Sequence, residues 1–244
     1  MITVTTSWDD GHVLDLKLAE LLVRYGLPGT FYIPRTAERP VMPASAVREL
    51  ASRFEIGGHT LRHVNLSTAR PEVVQAEVTG CRKWLEDITG TSPAAFCPPG
   101  GRYNAATVGV VAGAGYTCMR TVELLSCAPP TRSAGVAIMG TTVQAYPHSA
   151  SEYLRNIAKR RTWSNLGAYL SVRPDQRDLT GTVKRLLAAA AHRGGYFHLW
   201  GHSWEIEECG MWRQLESVFE LLASLSPEAR FLDNSGICGE HHEN

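Results

Sequence analysis

Two short segments carry side chains that can bind a divalent metal ion. Asp9 and Asp10 are adjacent and follow a β-branched, apolar N-terminus, and His59 and His63 are four residues apart. Two histidines and one carboxylate are a common ligand set for zinc, and they leave coordination positions open for water and substrate. The second carboxylate would remain to take a proton from an attacking water. The two segments together therefore predict a site for metal-assisted hydrolysis.

Both segments also have explanations that involve no metal. Asp10 precedes a predicted helix and could cap it. Asp-Gly sequences also commonly form turns. His59 and His63 would share one face if their segment is helical, or they could be two surface histidines. His12 could touch substrate or the surroundings of the metal, or simply begin a helix. We favour metal binding because both segments follow predicted strands, whose ends carry the chemistry in barrel folds.

A later pair of histidines offers a proton donor. His202 comes just after a strand predicted at 196–200, where it would lie at the mouth of the site and titrate near neutral pH. His198 lies within that strand and is expected to be a core histidine with a satisfied hydrogen bond. Glu205 and Glu207 are interpreted as solvated charges or helix-start charges.

The Pro-Pro-Gly-Gly segment at 98–101 predicts a rigid loop after a strand. Its prolines fix the backbone, and its glycines allow close approach to a ligand. Exposed N–H groups in such a turn can hold an oxyanion. Asn104 is expected to cap the helix that follows, which is compatible with an oxyanion loop.

Strand-like and helix-like segments alternate along the chain, which favours an α/β fold. Strands are predicted near 2–7, 29–33, 54–57, 94–97, 116–119, 136–146, 196–200 and 231–232. Helices are predicted near 13–25, 44–53, 67–90, 105–113, 150–162, 179–193 and 210–224. Residues 122–134 are expected to be a loop. This succession of six to eight βα units predicts a barrel or a doubly wound sheet, in a single domain spanning residues 1–244.

The bulk composition excludes some classes of partner. The chain has 244 residues, 44% of them hydrophobic, with 24 Lys and Arg against 24 Asp and Glu. A net charge of zero gives no attraction to nucleic acid or anionic membranes. No run approaches the ~20 apolar residues needed to cross a bilayer, and the N-terminus does not resemble a signal peptide. The six scattered cysteines are therefore expected to be free thiols of a cytoplasmic protein.

In their order, these segments resemble the motifs of the polysaccharide deacetylase family, the NodB-homology domains of carbohydrate esterase family 4. Residues 6–11 are similar to its Thr-Phe-Asp-Asp-Gly motif, with a shifted threonine and Trp for Phe. Residues 59–63 match its His-x-x-x-His motif, and 97–101 are similar to its Arg-x-Pro-Tyr-Gly loop. Residues 201–203 fall where the family has Leu-x-His. The resemblance covers most of the chain and implies an irregular (β/α)7 barrel.

The resemblance also implies a role for each matched residue. Asp9 would be the general base, the backbone N–H of Gly100 would stabilise the oxyanion, and His202 would protonate the leaving group. The implied ligands of a divalent metal, usually zinc but also cobalt or manganese, are Asp10, His59 and His63. The residues expected to contact substrate are Trp8, Pro99, Tyr103, Trp200 and Trp204.

Two departures from the family pattern lead to expectations of their own. The family loop often begins with an arginine that positions the base, and Cys97 occupies that place here. Arg120, just after the strand predicted at 116–119, is the candidate for the missing guanidinium. Gly100 stands where the family usually has a tyrosine that covers the site, so the pocket is expected to be more open.

The leading functional hypothesis is a metal-dependent deacetylase that acts on an acetylated carbohydrate through direct attack by metal-bound water. An alternative keeps the site but hydrolyses another C–N bond, in a small cyclic amide or ureide. A third hypothesis is a carbohydrate-binding barrel without catalysis, which the intact set of four ligand-type residues disfavours. The oligomeric state is left open.

Overall fold

A single sheet of ten strands forms the centre of this α/β domain, in a computed structural model that describes residues 1–240. The strands are β1 (Ile2–Asp9), β2 (Thr30–Ile33), β3 (Glu55–Gly58), β4 (Ala95–Phe96), β5 (Cys118–Arg120), β6 (Thr131–Ser133), β7 (Val136–Met139), β8 (Val143–Gln144), β9 (Tyr196–Gly201) and β10 (Ala229–Phe231). The helices are α1 (Asp15–Arg24), α2 (Ala44–Ala51), α3 (Pro71–Thr89), α4 (Ala105–Gly113), α5 (Ala150–Arg160), α6 (Leu166–Val172), α7 (Leu179–His192), α8 (Ser203–Glu208), α9 (Trp212–Ala223) and α10 (Asn234–Glu240).

The strand order is β6-β7-β5-β4-β3-β2-β1-β9-β8, and β10 pairs with β1. Every pair is parallel except β6 with β7. The sheet curls into an open barrel, and its two ends approach where β7 runs into β8. There the backbone N–H of Thr142 donates to the carbonyl of His198, at 2.9 Å. The prediction of an irregular parallel barrel in one α/β domain is confirmed.

Amphipathic helices cover the outside of the sheet, and their boundaries follow from local signals. Pro71 begins α3, where its missing N–H costs nothing, and Gly90 ends it with a left-handed φ of 76°. On α9 the predicted apolar face is buried, with Leu215 and Phe219 fully inaccessible. Burial of such faces against the sheet is the main source of stability for helices of this length.

The carboxyl ends of the central strands meet at one rim of the barrel. In the parallel register Trp8 lies beside Gly201, Asp9 beside Tyr32, and Gly58 beside Phe96. The residues that follow β1, β3, β4 and β9 are therefore neighbours in space, although they are up to about 190 positions apart in sequence. This is the rim at which barrels carry their functional residues.

The cysteines differ from the expectation of six free thiols. Cys118 and Cys238 form a disulfide that joins β5 to α10, with Cα atoms 5.7 Å apart. The other four are free, with Cys209 the exposed member. Cys238 lies near the end of the chain, on a helix that the sequence pattern did not predict, so its position beside β5 was not foreseeable. Within residues 1–240, no helix is long and apolar enough to span a membrane.

Candidate metal centre

Asp10, His59 and His63 converge at the rim of the barrel. Oδ1 of Asp10 lies 3.4 Å from Nε2 of His59 and 3.1 Å from Nε2 of His63. One ligand atom from each residue falls within 4.8 Å of the others. Burial raises the pKa of Asp10, but the two imidazoles outweigh that effect and hold the pKa well below its usual range. Oδ1 has no hydrogen-bond donor among the described residues, so this buried oxygen and two imidazole nitrogens fit a divalent cation.

The tautomer of His59 supports this assignment. Its Nδ1 lies 2.7 Å from the carbonyl oxygen of Cys97, which can only accept, so Nδ1 carries the proton. That leaves the lone pair of Nε2 directed at Asp10. A ligand histidine that donates its other N–H to a carbonyl is the usual arrangement around protein-bound metals.

The two histidines are brought together by a loop and not by a helix. The segment after β3 is irregular, with positive φ angles of 62° at Thr60 and 54° at His63. Thus the idea that the pair shares a helical face is wrong, although its two side chains do meet.

Glu77 on α3 holds this loop in place. Its carboxylate accepts from the backbone N–H of Arg62 at 2.7 Å and from Nε of the same residue at 2.6 Å. The carbonyl of Glu77 also accepts from the N–H of Leu61, at 3.1 Å. Only 1% of Glu77 is exposed. The sequence pattern does not identify this residue, because nothing in a helical glutamate indicates a loop contact.

Gly57 and Gly58, just before His59, allow neighbouring side chains to approach β3 closely. A Cβ at Gly57 would lie 2.5 Å from the Tyr32 ring, and one at Gly58 would overlap the Tyr116 hydroxyl. β3 therefore lies closer to its neighbours than any larger residue would allow. This closeness fixes where His59 leaves the strand.

A tight turn directs both adjacent carboxylates toward the site. Asp10 has φ 78° and Gly11 has φ 61°, and a Cβ at Gly11 would lie 2.6 Å from Ile33. The alternative that Asp10 caps the next helix is wrong, since α1 begins at Asp15 with Leu14 as its N-cap.

Asp9 is buried against Arg120. The guanidinium Nη2 contacts Oδ1 of Asp9, and neither residue is more than 2% exposed. Arg120 enters from the end of β5, between the rings of Tyr32 at 5.1 Å and Trp200 at 4.7 Å. The structure thus places Arg120 where the sequence analysis sought a guanidinium for the base.

Cys97 contributes no charge beside Asp9. Its Sγ lies 4.0 Å from Oδ2 of Asp9, and burial raises the pKa of the thiol well above its ordinary value. The thiol therefore stays protonated.

His202 completes the site from the end of β9. Its Nε2 lies 4.0 Å from Oδ2 of Asp9 and 3.9 Å from Oδ2 of Asp10. Its Nδ1 lies 2.6 Å from Oε2 of Glu205. Burial lowers the pKa of His202, but the hydrogen bond to Glu205 and the nearby carboxylates outweigh it, and the pKa is raised.

Glu205 lies in the first turn of α8, as the helix-start alternative predicted, but it is hydrogen-bonded and not simply solvated. It accepts from Nε2 of Gln144 at 2.8 Å, and Oε1 of Gln144 lies 2.7 Å from Nε2 of His148. This chain of hydrogen bonds fixes the carboxylate against His202. The sequence signal for the contact between His202 and Glu205 is their spacing. They lie three positions apart, at the N-cap and in the first turn of α8.

The Pro-Pro-Gly-Gly loop lies at the same rim and is braced from α5. Gly100, exposed and with φ 58°, sits in a short 3-10 helix. Arg160 donates to the carbonyls of Gly100 and Gly101. Asn104 caps α4 through a reciprocal bond with Thr107, as predicted. In this loop Pro99 is buried and Tyr103 half-buried.

The aromatic residues expected to contact substrate occupy different environments. Trp8 is wholly inaccessible and packs edge-on against Phe219 at 6.0 Å, so that expectation fails for Trp8. Trp200 is 6% exposed and lies 5.5 Å from the ring of His202. Trp204 is half-buried and lines a cavity of about 240 Å³ beside Asp10 and His63.

The two remaining histidines of the sequence analysis have structural partners. Nδ1 of His12 accepts from the N–H of Leu14 at 3.3 Å, which favours the helix-start explanation. His198 is 3% exposed, with Nε2 2.8 Å from Oγ of Ser7.

Comparison with known proteins agrees with these observations. The model of the polysaccharide deacetylase family matches residues 2–119. A peptidoglycan-N-acetylglucosamine deacetylase of Bacillus cereus is 27% identical over 117 residues, which are 46% of this chain and 53% of that protein. The matched region thus spans about half the length of this curated relative. The predicted resemblance to the family is confirmed.

Solved structures share the fold over nearly the whole chain. A Mycobacterium smegmatis protein assigned as a polysaccharide deacetylase superposes with a TM-score of 0.69 at 16% identity, covering 98% of this chain and 89% of its own. A family 4 acetyl xylan esterase of Clostridium thermocellum, in complex with cobalt, gives 0.57 at 15% identity, covering 98% and 91%. A family 4 carbohydrate esterase of Streptomyces lividans, in complex with acetate, gives 0.58 at 15%, covering 94% and 91%.

Proposed function

Because residues 2–119 match the polysaccharide deacetylase family, we propose that this protein is a metal-dependent hydrolase that removes an acetyl group from an N- or O-acetylated carbohydrate. The observation that carries the proposal is the convergence of Asp10, His59 and His63 beside a second, separately held carboxylate, Asp9. A purely structural cluster would have no use for that spare carboxylate.

Asp10, His59 and His63 would hold the metal, which we propose to be zinc, with cobalt or manganese as alternatives. Such an ion, when bound, polarises a carbonyl and makes water a stronger nucleophile at neutral pH. The remaining steps fall to side chains and backbone groups of this chain.

Asp9 is suited to be the general base. Arg120 holds its Oδ1, so Oδ2 is left on the side of His202, where it can accept a proton from water. A base must lie within hydrogen-bond reach of that proton, and Oδ2 of Asp9 and Oδ2 of Asp10 both lie near Nε2 of His202, at 4.0 and 3.9 Å.

His202 is suited to return a proton to the departing amine or alcohol. Its pKa is raised, with the bond to Glu205 as the main favourable cause, so the protonated form is present near neutral pH. The backbone N–H of Gly100, on the rim loop, is proposed to stabilise negative charge on the acyl oxygen.

The test is acetate release by the purified protein, first stripped with a chelator and then reloaded with zinc. Candidate substrates are N-acetylated chito-oligosaccharides, acetylated xylo-oligosaccharides and N-acetylated sugar nucleotides, with ring opening of a cyclic ureide measured in parallel. We expect acetate release that depends on added metal. Ring opening without acetate release would favour the alternative hydrolase.

The Asp9→Asn variant distinguishes the enzyme hypothesis from the hypothesis of a non-catalytic binding protein. A catalyst should lose acetate release by roughly 100-fold or more while zinc affinity stays unchanged. Asp87→Asn, at an exposed carboxylate paired with Lys83 on α3, is the matched control. If no substrate reacts in the presence of bound zinc, the proposal is wrong.

A further inference from the structure

We propose that Trp204 is a positioning residue for the metal ligand Asp10, a role that rests on the metal centre proposed above. The indole Nε1–H of Trp204 donates to Oδ2 of Asp10 at 2.9 Å. An indole N–H can only donate, and a bond from it to a carboxylate is charge-assisted. This hydrogen bond therefore occupies Oδ2 of Asp10 and leaves Oδ1 available to a metal ion.

The hydrogen bond also determines the direction of the other oxygen, Oδ1. With Oδ2 held by Trp204, Oδ1 is turned toward Nε2 of His59 and His63, at 3.4 and 3.1 Å. Oδ1 has no other partner among residues 1–240. Trp204 thus selects Oδ1 as the ligand atom and keeps the carboxylate from rotating away.

Two neighbouring side chains hold Trp204 in place. The guanidinium of Arg39 lies 3.7 Å above the centre of the indole, and Arg39 in turn pairs with Glu208 at 2.7 Å. The ring of His202 also lies 5.2 Å from that of Trp204, tilted by 37°. Arg39 therefore covers one face of the indole, and that face is closed to substrate.

The same short helix therefore serves two functional groups. α8 follows His202 and carries Trp204, Glu205 and Glu208. Glu205 orients the proton donor, whereas Trp204, supported by Glu208 through Arg39, orients a metal ligand. Groups that orient ligands in this way commonly change metal affinity by about 10- to 100-fold when they are removed.

The experiment compares zinc affinity in Trp204→Phe and in the wild type, by competition with a chromogenic chelator. Phenylalanine keeps an aromatic ring beside Arg39 and His202 but removes the N–H. We expect the dissociation constant for zinc to rise about 10- to 100-fold. Unfolding temperatures are measured in excess chelator and in excess zinc, so that an effect on metal binding is distinguished from an effect on folding.

Trp212→Phe is the matched control. The indole N–H of Trp212 also donates to a carboxylate, that of Glu207, and a cation, Lys17, also lies over the ring at 4.0 Å. None of these residues belongs to the candidate ligand set or lines the cavity beside Asp10. Zinc affinity should therefore match that of the wild type.

Arg39→Met is the second variant, and its position is exposed enough for folding to be retained. Loss of the cation from the indole face should weaken zinc binding by about two- to fivefold. Unchanged zinc affinity in Trp204→Phe overturns the inference, as does a variant that is destabilised equally with chelator and with zinc. If the wild type itself binds no zinc, cobalt or manganese, the proposed function fails and this inference fails with it.

Discussion

At the scale of single residues, the contact between Asp9 and Arg120 buries two opposite charges beside the candidate metal centre. Both side chains are buried, and the rings of Tyr32 and Trp200 flank the guanidinium. A buried pair of this kind adds little net stability, but loss of one partner leaves an uncompensated charge in a low-dielectric interior. Arg120 therefore matters for both folding and chemistry.

We expect Arg120→Met to abolish measurable acetate release and to lower the free energy of unfolding by about 3–5 kcal/mol. Urea titration measures the second effect. The double variant Asp9→Asn with Arg120→Met, which removes both charges, should recover much of the stability and none of the activity. An active Arg120→Met protein would show that Asp9 needs no partner.

The hydrogen bond between Glu205 and His202 leads to a second expectation. Glu205→Gln keeps the size of the side chain but removes the charge that favours a protonated imidazole, so kcat should fall roughly 10- to 100-fold. Initial rates at saturating substrate measure this change. Glu207→Gln, two positions along α8 on an exposed residue, should be neutral, and an equal effect of both substitutions would contradict the assignment.

Spacing in the sequence was sufficient to predict which side chains meet at the rim. Asp9 ends β1, Asp10 and His59 directly follow β1 and β3, and His63 lies on the loop after β3, so their proximity follows largely from topology. The partners of these residues were not predictable in the same way. Glu77 and Trp204 act across contacts that depend on the exact placement of a helix, which no periodicity encodes.

At the scale of elements, α3 acts as a brace for the loop that carries the histidines. Glu77 makes two hydrogen bonds to Arg62, at the middle of the loop, from a nearly inaccessible position. Hydrogen bonds to a buried charge are worth about 1.5–3 kcal/mol each. The loop has positive φ at both Thr60 and His63, so it depends on such external support.

Glu77→Gln should lower the free energy of unfolding by about 2 kcal/mol and weaken zinc binding, because the two histidines lose their fixed separation. Chemical unfolding in chelator and zinc titration test these two expectations separately. Glu72→Gln on the same helix is the control, since its pairing with Arg70 is at the surface. If Glu77→Gln bound zinc as tightly as the wild type, the loop would keep its conformation without Glu77.

Long elements were predicted well and short ones were not. α3, α7 and α9 show apolar side chains at helical spacing over three or more turns, which is a strong signal. β6, with three exposed residues, and α8, with six, are too short to show any period. The missed α8 matters most, because it carries the residues that orient both His202 and Asp10.

At the scale of the whole molecule, the interior of the barrel makes folding sensitive to acid. His198 is buried in β9, 2.8 Å from Oγ of Ser7, and its pKa lies well below the ordinary value of 6.5, first because of burial and second because of Arg120. Below pH 6.5 the unfolded chain binds a proton that the folded protein does not. Stability must therefore fall as the pH falls through that range.

His198→Gln should flatten this dependence. In wild-type protein the residue contributes a slope of at most about 1.4 kcal/mol per pH unit below its unfolded pKa, and glutamine can still bond to Ser7 without titrating. Urea unfolding between pH 8 and pH 5, with chelator present throughout, measures the slope. His192→Gln, at an exposed histidine at the end of α7, should leave it unchanged, and parallel curves for wild type and His198→Gln would contradict the prediction.

The route by which Arg120 reaches Asp9 has a consequence for the history of the protein. Its guanidinium comes from β5, whereas the family pattern places an arginine at the position of Cys97, after the adjacent strand β4. One carboxylate in a closed pocket can accommodate one such cation, so arginine at either position relaxes selection on the other. An alignment of homologues should therefore show these two positions exchanging arginine in a compensatory manner. Homologues could then be grouped by whether β4 or β5 supplies the arginine.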